Sequence, residues 1–195
     1  MATISYFIRH GQTDWNATFR LQGQADTDLN ALGRAQADRN GARLAEIEPD
    51  VASFHFVASP LKRTCETMER VRLGAGLARR GYVTDPRLME LNFGDWQGYT
   101  MAEVEARMPG AAASRNADKW HFLPPGEAAE SYEGLTARFR PFFEEIDRPT
   151  VCVAHGGIIR ALFHLVGGMA ADKAAVLDVP QDRILRWDGE RLEWL

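Results

Sequence analysis

The sequence predicts an α/β fold, a three-layer α/β/α arrangement with a mostly parallel central sheet and an antiparallel edge strand. Three observations carry this reading. Short apolar runs at residues 3–9, 53–58 and 150–154 alternate with amphipathic helical stretches. Two of those runs end abruptly in a polar residue and glycine, as strands that deliver side chains to one sheet end do. Near the C-terminus, Asp188-Gly189 separates two further apolar runs, a strong signal for a tight hairpin.

Taken in order, residues 3–9 read as a mostly buried strand ending at Arg9-His10-Gly11. Asn30 is a good helix N-cap. Ala31, Ala35, Leu44 and Ile47 fit one apolar face of the helix that follows, which ends near Glu48-Pro49. Residues 53–58 form a second strand. Ser59-Pro60 is then expected to open a helix running to about Leu73, with serine as cap and proline in the first turn. Residues 82–84 read as a short strand, and Thr100 caps a helix to about Met108, stopped by Pro109-Gly110. The stretch from about 109 to 130 is looser, with aromatics and prolines, and reads as a mobile lid or loop. Ser131 starts a helix to about Ile146, with a kink or break expected at Pro141. Residues 150–154 are a strand, residues 157–166 and 170–177 helices, and residues 184–187 and 192–194 the hairpin.

The chain has 195 residues, and one domain spanning 1–195 is expected. Hydrophobic residues make up 45% and charged residues 26%, ordinary for a globular protein. The net charge of -4 excludes a broad basic surface for nucleic acid. No run is long and apolar enough to span a membrane. The start, Met1-Ala2-Thr3-Ile4-Ser5, shows no signal pattern, so a cytoplasmic location is expected. Cys65 and Cys152 are read as buried free thiols in a reducing compartment, with a disulfide between them as the alternative. No His, Cys and Asp residues have metal-ligand spacing, and neither metal nor organic cofactor is implied. A homodimer through an edge strand stays open.

Arg9 and His10 follow the first strand, Arg63 sits in the first turn after the second, and His155 follows a later one. All four therefore converge at the carboxyl end of the sheet. Arginine offers a planar fork to an oxyanion, and histidine is a nucleophile near neutral pH. Singly, each has a bland alternative: a polar strand end, a solvated helix residue, a buried structural histidine. Together they suit phosphoryl transfer, which demands alignment and charge stabilisation. A leaving alkoxide needs a proton, and Glu90 competes with Asp85 and Asp95 as its source. Arg115 and Lys119 are candidates for a second anionic group on a substrate, against a solvated loop.

Four motifs, in order, are Arg9-His10-Gly11-Gln12-Thr13-Asp14-Trp15-Asn16, Ser59-Pro60-Leu61-Lys62-Arg63-Thr64, Glu90-Leu91-Asn92-Phe93-Gly94-Asp95-Trp96-Gln97-Gly98 and Ala154-His155-Gly156-Gly157. With the loop Leu21-Gln22-Gly23-Gln24, they make the chain resemble the histidine phosphatase superfamily, also called phosphoglycerate mutase-like. The resemblance implies a metal-independent phosphomonoester hydrolase acting on a small metabolite. In that reading His10 forms a phosphohistidine, Arg9, Arg63 and His155 hold the phosphoryl oxygens, and Glu90 moves the proton. Asn16, Gln22 and Gly23 line the pocket. Gln12 stands where glutamate is commoner, a variant found in phosphatase-like members. A phosphoglycerate mutase-type isomerase is the alternative, although such mutases are usually longer, and a non-catalytic phosphate-binding protein is the third reading.

Overall fold

Central strands buried on both faces set the architecture of the computed structural model, which describes residues 3–195. Met1 and Ala2, part of the N-terminus read above, lie outside the described residues. The elements are β1 (Ser5–Arg9), α1 (Asp14–Ala17), α2 (Ala31–Ile47), β2 (His55–Ala58), α3 (Lys62–Gly74), β3 (Val83–Thr84), α4 (Met101–Arg107), α5 (Ala111–Ala117), α6 (Tyr132–Glu144), β4 (Thr150–Ala154), α7 (Gly156–Leu165), α8 (Ala171–Ala174), β5 (Ile184–Trp187) and β6 (Leu192–Trp194). They form a six-stranded sheet in the order β3-β2-β4-β1-β5-β6. β3, β2, β4 and β1 run parallel, β5 pairs antiparallel with β1, and β6 antiparallel with β5.

Successive strand residues point to opposite faces, and here each face has its own core. Tyr6, Ile8, Phe56, Ala58, Val151 and Val153 pack with Leu44 of α2 and with Met68 and Val71 of α3. Phe7, Val57, Cys152 and Ala154 face the other way, onto Leu135 and Phe139 of α6 and Ile158, Ile159 and Leu162 of α7. Helices thus cover both faces, the three-layer arrangement expected. The parallel strands also place their carboxyl ends, and the residues after them, on one rim.

Several local expectations are corrected. Ser59 does not cap α3; the helix begins at Lys62 with Leu61 in the cap position and no side-chain cap bond. Ser59 is fully buried, and its hydroxyl is used elsewhere. Pro141 does not break α6, which continues to Glu144. The buried face of α2 is not the one read from its alanines. Ala31 is exposed, and Gly33, Gln36, Ala37, Asn40, Gly41 and Leu44 face inward. The segment at 109–130 is not all loop. It contains α5, and Trp120 is buried, stacked on Tyr132 with ring centroids 5.6 Å apart. The helix expected at 170–177 is only α8, with turns beyond. The caps at Asn30, Thr100 and Ser131 hold, each accepting from the backbone N–H three residues on. Both cysteines are free, and no helix among the described residues is long and apolar enough to cross a membrane.

Candidate active site

The exit of β1 carries the first two functional side chains. His10 is buried, and its Nδ1 lies 2.8 Å from the Gly11 carbonyl. A carbonyl only accepts, so Nδ1 holds the ring proton and Nε2 keeps its lone pair. Burial, then Arg63 and Arg9, holds this ring's pKa well below the ordinary histidine value, so it is neutral at pH 7. The turn after His10 needs glycine at both of its contacts: a Cβ on Gly11 would overlap the Gly33 carbonyl, and one on Gly33 would overlap Gln12.

Two guanidinium forks flank the ring. Arg9 Nη1 donates to the Val179 carbonyl at 2.6 Å. Arg63, fully buried, donates from Nη1 to Ala25 O (2.8 Å) and from Nη2 to Gly23 O (2.7 Å). Gly23 adopts a positive φ of 54°, which turns the loop so that its carbonyl meets Arg63. Burial pushes the Arg63 pKa down to about 10, still cationic at neutral pH. Arg9 Nε and Arg63 Nε are buried without a hydrogen-bond partner.

β4 delivers the second histidine. The His155 ring centroid lies 5.2 Å from that of His10, edge-on, and its Nε2 lies 2.8 Å from Ser59 Oγ. Its Nδ1 is buried and unpartnered. Burial first, then Arg63, His10 and Arg9, lowers its pKa well below the usual value. Glu90 approaches from the loop after β3, its Oε1 accepting from Leu91 N at 2.8 Å and from Gly157 N at 3.1 Å. The two rival carboxylates are placed differently. Asp85 is ion-paired with Arg87 at 2.7 Å, and Asp95 is exposed.

Arg9, His10, Asn16, Gln22, Gly23, Arg63 and Glu90 line one cleft of about 130 Å3, with His155 against His10 behind it. The predicted set is thus gathered at one place. Asn16 Oδ1 accepts from Thr13 N and from Gln181 Nε2, and Gln22 Oε1 from the Thr13 and Thr27 hydroxyls, so both are fixed by the loop itself. His121 pairs with Asp118 at the surface, and His164 packs on Trp120 at 4.6 Å. Neither reaches the cleft.

Sequence reasoning missed several contributors. Arg160, Tyr132, Arg20 and Phe93 also line the cleft. Arg160 was findable, since it lies one helical turn after Gly156 on the helix that follows His155. Arg138 on α6 was not. It donates to the carbonyls of Arg87 (2.8 Å) and Met89 (3.1 Å) and pairs with Glu130 (2.9 Å), clamping the backbone that presents Glu90.

An α/β sheet whose parallel strand ends supply two neutral histidines between paired arginines, beside a carboxylate, defines a protein built to handle a phosphoryl group. The profile of the histidine phosphatase superfamily (branch 1) matches residues 5–194, and the chain belongs to that family. Among its relatives, glucosyl-3-phosphoglycerate phosphatase of Mycobacterium tuberculosis is 39% identical over 168 residues, which cover 80% of this chain and 71% of that one. The phosphoglycerate mutase-like protein 4 of Arabidopsis thaliana is 31% identical over 94% of this chain and 80% of its own. The solved structure of the mycobacterial glucosyl-3-phosphoglycerate phosphatase with VO3 superposes with a TM-score of 0.81 at 33% identity, covering 99% of this chain and 97% of that one.

Proposed function

We propose that the protein is a phosphomonoester hydrolase for a small phosphorylated metabolite, working through a phosphohistidine at His10. The observation that carries this reading is the Nδ1–H of His10 on the Gly11 carbonyl, which leaves Nε2 free to attack beside the His155 ring. Nε2 attacks phosphorus, the P–O bond to the alcohol breaks, and Glu90 passes its proton to the leaving oxygen. The imidazole gains positive charge as the N–P bond forms, and the Gly11 carbonyl stabilises its Nδ1–H. Arg9, tied through Nη1 to one backbone carbonyl, and Arg63, tied through both Nη atoms to two, keep buried, unpartnered Nε atoms that can bind the phosphoryl oxygens with little reorganisation. With Ser59 O–H donating to Nε2 of His155, the Nδ1–H of that ring donates to a third oxygen. In the second step Glu90 takes a proton from water, the water oxygen attacks phosphorus, and the N–P bond breaks to release inorganic phosphate and free His10.

Relatives at 39–40% identity bear the name phosphatase, while those named for a mutase stand at 30–31%, which supports hydrolysis over isomerisation. The test is turnover of 4-nitrophenyl phosphate with acid quench. Wild-type protein is expected to release phosphate and to trap an acid-labile phosphoenzyme. His10→Ala is expected to lose both by at least about 10³-fold, the usual loss when a covalent nucleophile is removed. Rapid interconversion of 3- and 2-phosphoglycerate primed by 2,3-bisphosphoglycerate, without phosphate release, would instead establish the isomerase, and no turnover of any phosphomonoester a silent binder.

A further inference from the structure

Beyond the exit of β1, a chain of amide groups has its polarity fixed from both ends. Asn16 meets the Thr13 N–H at 3.1 Å. A backbone N–H only donates, so the Asn16 atom facing it is Oδ1, and Nδ2 is the end left over. Gln181 meets the His10 carbonyl at 3.0 Å. A carbonyl only accepts, so the Gln181 atom facing it is Nε2, and the same nitrogen donates to Asn16 Oδ1 at 3.2 Å. The Thr13 hydroxyl also lies 3.2 Å from Asn16 Oδ1, but its single proton goes to the nearer acceptor, Gln22 Oε1 at 2.9 Å. Gln181 is therefore the side chain that holds the Asn16 amide from outside its own turn.

Asn16 lines the cleft with Arg9, His10 and Arg63, and Gln181 stands behind it, outside that lining. With Oδ1 engaged by Thr13 and Gln181, the donor end Nδ2 is the one presented to the cleft. The mount behind Gln181 is stiff. Pro180 before it fixes a backbone torsion. The Val179 carbonyl accepts from Arg9 Nη1 at 2.6 Å, and the Gln181 carbonyl from Asn40 Nδ2 of α2 at 3.1 Å. The terminal torsion of an asparagine is broad and roughly two-fold, so an untethered amide turns over readily. Turned over, it would present the acceptor Oδ1 to phosphoryl oxygens that are themselves acceptors.

We infer that Gln181 is a positioning residue of the cleft, acting through Asn16 by holding that amide with its N–H donors towards the phosphoryl oxygens. The inference rests on the reading that the cleft binds a phosphoryl group, and extends it to a residue 165 positions from Asn16 in the chain.

The test is a double-mutant cycle on kcat/KM for 4-nitrophenyl phosphate, using Asn16→Ala, Gln181→Met and the two together. Asn16→Ala is expected to lose about 10–100-fold, the worth of a hydrogen bond to a charged group. Gln181→Met, which keeps the length of the side chain without its donor, is expected to lose roughly tenfold by the same reckoning. The pair should fall no more than about twofold below Asn16→Ala alone, because the amide that Gln181 holds is then gone. Losses that multiply overturn the inference and assign Gln181 to the His10 carbonyl or to folding alone. An undiminished Gln181→Met overturns it as well. Gln181→Asn, whose amide is drawn back by one methylene, is carried through the same cycle with the same expected coupling, so misfolding of the methionine variant leaves the answer readable. Urea midpoints of all the variants separate lost stability from lost coupling. Absent turnover by the wild-type protein is a separate result that removes the hydrolase reading. The same proteins then report the coupling through their affinity for inorganic phosphate, measured by calorimetry.

Discussion

At the scale of single residues, Gly157 shows how closely the backbone approaches the Glu90 carboxylate. Its N–H donates to both Glu90 oxygens, and a Cβ built on it would overlap Oε1. Gly157→Ala is therefore expected to displace the carboxylate while leaving His10 and the arginines in place. Steady-state kinetics on 4-nitrophenyl phosphate should show kcat falling about 10²-fold, the usual worth of a positioned proton donor, with KM changed far less. Equal loss in KM, or no loss, would remove Glu90 from the proton path. The doublet Gly156-Gly157 thus has a physical cause that the sequence displayed without explaining. His10, Arg9, Arg63 and His155 were legible because each ends or follows an apolar strand, and such positions share a rim. Ser59 was not, because a serine before proline reads as a cap, and only the fold brings it 2.8 Å from a histidine 96 positions away.

Between elements, α2 and α3 pack through small residues. Gly41 faces Val71 and Gly74, and a Cβ there would overlap the Val71 carbonyl. That carbonyl belongs to a helix and cannot swing aside like a side chain. Gly41→Ala should therefore destabilise by about 1–3 kcal/mol through overpacking, despite the gain in helix propensity that alanine brings. Urea unfolding of the variant would read it as a lower midpoint at unchanged slope; a rise would show that propensity outweighs the clash. The same contact explains why the apolar face of α2 was misread. Its inner face is built from glycines and from Gln36 and Asn40, which hydrogen-bond to Gln12 N and Gln181 O, so hydrophobic periodicity points elsewhere. Periodicity likewise missed α5, whose run of alanines buries only Ala111. In α6, Tyr132, Leu135, Phe139 and Phe142 follow the helical repeat across Pro141, an apolar face that holds the helix through the proline where a break was expected.

For the whole molecule, gathering two neutral imidazoles between fixed arginines links stability to pH. Both histidines have folded pKa values well below the unfolded value of about 6.5. As pH falls below 6.5 the unfolded chain takes up protons at these rings and the folded chain does not. The stability is thus complete above pH 6.5 and is lost as pH falls from there towards the depressed folded values, at up to about 1.4 kcal/mol per pH unit for each ring. The carboxylates with lowered values, Glu66 and Asp85 among them, add their loss only below their own unfolded range of about pH 4. Between pH 6.5 and 5 the slope therefore belongs to the cleft. Urea midpoints taken at pH 7.5, 6.5, 5.8 and 5.2 should be level over the first pair and fall over the rest. His10→Asn, which cannot titrate, should remove about half of that slope. A bound phosphate dianion opposes it by the same electrostatics, since a negative charge beside the rings favours their protonated form and raises their pKa. Inorganic phosphate at saturating concentration should accordingly flatten the wild-type profile, and flatten that of Arg63→Ala less, because the variant binds the anion more weakly. A profile without slope in this window would mean that the rings titrate normally, and that neither is buried neutral as the cleft requires.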